Sequence, residues 1–125
     1  MQSNDFSDLD DELNMTEFID SVNTTFTENN LPVLTKSIKS YSRTILNVPI
    51  INSTNTSNFL TGILWDSSDL ARDDYNGTQD ILFVTQANVK KQGKYGTYDY
   101  EIKIPADLDD YKLGAGSVTF YTEIE

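Results

Sequence analysis

The stretch from Asp80 to Pro105 constrains this chain more than any other. Its first arm, Ile81 to Val89, opens with Ile-Leu-Phe-Val and is rich in β-branched and aromatic residues. Its second arm alternates: Tyr98, Tyr100, Ile102 and Ile104 point one way, and Thr97, Asp99, Glu101 and Lys103 the other. A period of two is what a strand with one buried and one wet face requires. Between the arms lies Lys90-Lys91-Gln92-Gly93-Lys94, where Gly93 is free to take the positive φ of a hairpin loop. Pro105 ends the second arm because it cannot donate to a ladder. The pattern predicts a β-hairpin with the Tyr and Ile face buried. A lone hairpin is marginally stable, so the rest of the chain must supply further strands and a cover.

The cover is expected at the N-terminus. Phe6, Leu9 and Leu13 share one face of a helical wheel; Met15, Phe18, Ile19, Val22 and Phe26 share nearly the opposite one. One straight helix would be smeared by that jump in phase. The break falls at Asn14, and Asn14-Met-Thr-Glu17 has the spacing of a capping box. The reading is a helix over about 15–27, preceded by an acidic lead-in over 1–13 that is either a separate helical turn or partly disordered. Residues 14–125 form one globular domain, as a length of 125 residues favours. Pro32 then opens a second helix, in which Leu34, Ile38, Tyr41 and Ile45 make an apolar stripe opposite Lys36, Lys39 and Arg43. Short extended segments follow at 48–51 and 59–65, and Ser117 to Glu125 reads as a last strand with Val118, Phe120, Thr122 and Ile124 on one face. Helices first and about four short strands afterwards argue an α+β fold, with N-terminal helices packed on one face of a roughly four-stranded antiparallel sheet. The alternative is an all-β sandwich with a helical lead-in.

Charge narrows the function. The chain carries 20 acids and 9 bases, a net charge of −11, which disfavours binding to a nucleic-acid backbone. Eight acids and no base lie in residues 1–31. There is no His and no Cys, which removes the commonest general base, the commonest zinc ligand and every disulfide. An enzyme would need a carboxylate pair, a depressed Lys or a metal, and no phosphate-binding or nucleophile motif is present. No enzyme activity, cofactor or metal is expected. The Asp-rich loop from Asp66 to Asp80 invites a calcium reading, but its spacing fails the calcium-loop pattern and fits turn chemistry. No run of apolar residues is long enough to cross a membrane, and the first residues do not form a signal peptide.

Asn-x-Ser/Thr sequons occur at Asn14, Asn23, Asn52, Asn55 and Asn76. With 11 Asn and 25 Ser or Thr in the chain, about two would arise by chance. The excess marks Asn23, Asn52, Asn55 and Asn76 as glycosylation candidates of an extracytoplasmic domain; Asn14 is the weakest acceptor because its side chain is wanted as a helix cap. Lys36, Lys39 and Arg43 are candidates for docking an acidic partner. The lysines at the hairpin tip, Lys90, Lys91 and Lys94, read as a guard against edge pairing.

Phe59-Leu-Thr-Gly-Ile-Leu-Trp65-Asp66, Tyr75-Asn-Gly-Thr-Gln-Asp80-Ile-Leu-Phe-Val-Thr85 and Tyr95-Gly-Thr-Tyr-Asp-Tyr-Glu-Ile-Lys-Ile-Pro105-Ala together resemble soluble domains of archaeal membrane-anchored, pilin-like surface proteins with a class III signal peptide. The resemblance spans about residues 45–125. It implies an N-terminal helix laid on a four-stranded antiparallel sheet, a place at the cell surface, and work in filament assembly or adhesion. It also implies an apolar anchor helix, which this chain does not contain. Expected partners are other copies of the chain or cell-surface proteins, with the domain monomeric in solution and touching a membrane only through such an anchor. The rival reading is a small acidic inhibitor, either an immunity protein or a nucleic-acid mimic, which the acidic N-terminus favours.

Overall fold

The computed structural model describes residues 5–29, 31–54, 56–66, 75 and 79–105. They form helices α1 (Asp5–Glu12) and α2 (Val22–Phe26), then strands β1 (Thr27–Glu28), β2 (Leu31–Pro32), β3 (Leu34–Ser40), β4 (Arg43–Asn52), β5 (Leu60–Trp65), β6 (Ile81–Thr85), β7 (Lys91–Gln92) and β8 (Thr97–Tyr98). Strands β3-β4-β5-β6 make one antiparallel meander; β1 with β2 and β7 with β8 are two-residue ladders. The fold is α+β, with both helices on one face of the four-stranded sheet. The last strand expected at 117–125 lies outside the described residues.

The phase break at Asn14 does separate two helices, but the residue acts at the other end of a helix. It takes φ 54°, its N–H donates to Asp11 O (3.2 Å), and Met15 N–H donates to Asp10 O (2.8 Å). Those two bonds are the Schellman closure of α1. Asn suits either end, since its short side chain caps and its backbone tolerates the left-handed region. The helix expected over 15–27 is therefore short and late. Ser21 caps α2, accepting from Thr24 N, and the buried Asp10 carboxylate accepts from Asn23 N at 3.2 Å through both oxygens. An anionic acceptor at exposed helical N–H groups satisfies donors that the helix leaves open.

The core lies between these helices and the sheet. Phe6, Leu9, Met15, Val22 and Phe26 pack on Ile51, Ile63 and Tyr75, with Trp65, Ile81 and Phe83 partly buried against them. Register explains the sheet side: Ile63 faces Phe83 and Trp65 faces Ile81, so all four project from one face. Phe6 meets Trp65 edge-on at 6.0 Å, and Phe26 lies 6.2 Å from Phe83. Residues 5–12, expected as a lead-in, contribute Phe6 and Leu9 to this core. Tyr75 returns to the same place. Its ring stands edge-on to Trp65 at 6.0 Å and its N–H donates to the buried Asp5 carboxylate at 3.1 Å.

Two expectations are corrected. The second helix is instead the β3–β4 hairpin, turned at Tyr41-Ser42 between the pair Ser40 and Arg43. The stretch is dense in Ser, Thr, Ile and Val, which lose side-chain freedom or compete for backbone bonds in a helix and fit a pleated sheet. The second correction concerns the organising hairpin. Strand β6 takes β5 as its partner, and the residues after β8 cross the sheet instead of pairing with β6. Three hydroxyls hold them there. Ser53 and Thr85 donate to Glu101 O (3.2 and 3.1 Å), and Lys103 N–H donates to Thr61 Oγ1 (2.7 Å), with Ser53 bonded to Thr61 at 2.8 Å. The polar side chains turn inward to the loop: Lys90 N–H donates to Asp99 Oδ1 and Lys94 N–H to Glu101 Oε2. Tyr98, Tyr100 and Ile104 are consequently exposed, Tyr100 at 60%. Thr97, Asp99 and Lys103 are exposed as expected, and Ile102 and Glu101 are half-buried. Gly93 is needed for space: a Cβ there would lie 2.7 Å from Glu101 Oε2 and 2.8 Å from the Tyr98 ring. Positive φ falls on Lys90, at 54°.

Phe26→Ala should therefore cost about 3–5 kcal/mol, as core aromatic truncations do, whereas Tyr100→Ala should cost under about 1 kcal/mol; urea denaturation of both variants checks the contrast. Burial, and then the neighbouring Glu12 carboxylate, push the Tyr75 hydroxyl above its ordinary pKa. The folded state thus holds this proton more tightly than the unfolded chain. That contribution is complete below the unfolded value of about 10 and is lost as pH rises through the folded value. Thermal melts between pH 8 and pH 11 should show less alkaline loss in Tyr75→Phe than in the parent, relative to each protein's value at the lower pH.

Candidate docking arm

The β3–β4 hairpin outruns the sheet. Strand β4 pairs with β5 only from Ile50 to Asn52, and that ladder begins one residue beyond Pro49, whose nitrogen has no hydrogen to donate. Nearer the turn, Leu46 and Asn47 together oppose the single Ser37, a bulge between the pairs Lys36–Val48 and Ile38–Ile45. Asn47 takes φ 55° there, and bulges of this kind bend and twist a ribbon. Beyond the bulge, residues 41–47 are all exposed. The arm shows Tyr41 and Leu46 to solvent at 68% and 67%, with Ile45 beside them.

The docking candidates sit on this arm, differently disposed from a helical stripe. Lys36 and Arg43 share one face of the ribbon, with Ile38 and Ile45, and Lys39 lies on the other. All three are exposed. From residue 29 to residue 65 the chain has these three bases and no acid, so the arm is a local excess of +3 on a chain of −11. Among the described residues none of the three joins a carboxylate in an ion pair. The three cations lie on a β-ribbon and not on the helix face expected of them; the uninterrupted acid-free run from 29 to 65 is the sequence signal for a distinct surface.

At the foot of the arm, on the sheet face away from the helices, lies a groove of about 170 Å³ bordered by Lys36, Ile38, Ile50, Leu60, Asn58 and Asn88. Its wall is built from bonds within the protein. Asn88 Nδ2 donates to Asn58 O, and Asn58 Nδ2 to Gln92 O. The space suits one side chain or a few waters and is smaller than usual ligand pockets. Among the described residues that border it, Lys36 is the one ionisable side chain.

The sequons separate by environment. Asn23 lies within α2, half-buried, and its Oδ1 accepts from Thr27 Oγ1 at 2.7 Å. Asn52 is exposed at the end of β4. Asn55 and Asn76 lie outside the described residues, as does most of the Asp66–Asp80 loop. Among the described residues no cluster of three metal-ligating side chains occurs, and no helix is long and apolar enough to cross a membrane. No family model, curated protein or solved structure matches this chain.

Because the arm's tip is solvated, Leu46→Ser should change stability by no more than about 0.5 kcal/mol. Val48→Ala, two residues further along and 1% exposed, should cost about 1–3 kcal/mol. Chemical denaturation distinguishes a free arm from one that is part of the core.

Proposed function

We propose that the chain is a non-enzymatic, extracytoplasmic surface domain of pilin-like type, working in assembly or adhesion. The observation that carries this reading is the projecting β-arm, which shows large apolar side chains and exposed cations outside a sheet whose other face is covered by helices. Exposed apolar surface of this kind is costly to keep unless a partner takes it up. The order of helices followed by an antiparallel meander agrees with the pilin-like resemblance, and Asn52 is accessible to a glycan. A second reading, the acidic inhibitor, draws on Asp8, Asp11, Glu12 and Glu17, all exposed, with Thr16 donating to Asp11 at 2.7 Å.

Mass spectrometry of material isolated from its native cell discriminates the two. The surface reading expects recovery with the cell envelope and a glycan on Asn52, with Asn23 unmodified. An unmodified chain recovered from the cytoplasm would sink it and favour the inhibitor.

A further inference from the structure

We infer that the arm of one copy docks on the acidic helical shoulder of a second copy, head to tail; this rests on the surface reading above. Both surfaces have the same plan with opposite charge. On the arm, Tyr41, Ile45 and Leu46 are exposed, with Lys36 and Arg43 on the face of Ile45 and Lys39 on the opposite face. On the shoulder, Ile19 stands out at 91% exposure, with Glu17 next but one before it. Asp8, Asp11 and Glu12 are exposed on α1, and Thr16, three residues before Ile19, donates to Asp11 at 2.7 Å. An apolar centre with a charged rim is the usual anatomy of a specific contact, and opposite rims set its orientation.

The two surfaces are different parts of the chain. Joining one to the other leaves a free arm at one end and a free shoulder at the other, so the contact repeats without closing. That is the geometry of a filament. The patch on each side is small and its charges are exposed, so each contact is weak and screened by salt. The free domain is monomeric when dilute. Copies held side by side at a surface meet at an effective concentration high enough to bind.

Sedimentation at about 1 mM protein tests this. Self-association should weaken at least about fivefold between ~50 and ~500 mM salt. The variant K36Q/K39Q/R43Q should lose at least as much at the lower salt. K90Q/K91Q/K94Q removes the same three charges elsewhere and should associate like the parent. D8N/E12Q/E17Q should also associate less, although it lowers the overall repulsion. Equal behaviour of the two cation variants would mean that net charge alone is at work and overturns the proposal. So does stronger association of the acid variant, a salt-insensitive dimer, or no association at 1 mM. A glycosylated envelope protein that fails these tests remains a surface domain without this contact; a cytoplasmic one that passes them retains the contact and loses the surface role.

Discussion

Everything described depends on covering one face of the β3–β6 sheet. The cover is two helices of 8 and 5 residues, far below the ~12–15 residues at which an isolated helix becomes even marginal in water. Neither stands without the sheet, and the sheet face of Ile51, Ile63, Trp65 and Phe83 cannot stay in water without them. Phe6 and Phe26 are the two ties, each resting on a sheet aromatic. The helix ends are closed by the chain itself, through Asn14, Ser21 and Asp10. Hydrophobic burial supplies the driving force, and the caps make it compatible with such short elements.

Acidity in this protein has two roles set by position. Asp5 and Asp10 are 2% and 4% exposed, and each accepts a backbone N–H, from Tyr75 and Asn23. The other carboxylates of α1 face solvent. A buried carboxylate is tolerated when hydrogen bonds to its charged form replace the lost water. Among the described residues no buried side-chain nitrogen or oxygen lacks a partner. The same principle sets the course of residues 99–103. Among the described residues no strand pairs with them; Glu101 O and Lys103 N–H bond to Ser53, Thr85 and Thr61, and Tyr98 and Tyr100 are left outside.

Segregation of charge gives the surface its polarity. Helix α1 carries five acids and no base, the β3–β4 arm carries bases alone, and Asn47 and Pro49 set the arm apart from β5. A hairpin that continued its ladder into β5 along its whole length would bury Ile45 and Leu46 against a neighbour. The bulge and the proline prevent this and leave the apolar tip among cations. Among the described strands β3 lies at the sheet's edge, where Lys36 and Lys39 also discourage indiscriminate strand pairing.

The sequence by itself determined that helices precede an antiparallel sheet, that the N-terminal apolar stripes break at Asn14, that segment 59–65 is a strand and that another begins at Ile81, though it ends at Thr85 and not at Val89, and that 29–65 holds bases and no acid. These rest on local pattern: period, turn chemistry and charge. It did not determine the state of Leu34 to Ile45, because Leu34, Ile38, Tyr41 and Ile45 satisfy a helical period while Ser, Thr and β-branched residues suit a strand. The pairing of β4 with β5 and the position of the bulge decided that contest. Nor could alternation at 97–104 reveal its own outcome. A period of two describes any extended segment with two unlike faces, and does not say which face a neighbour will meet. The three hydroxyls at 53, 61 and 85 made that choice, and they converge only once β4, β5 and β6 are side by side.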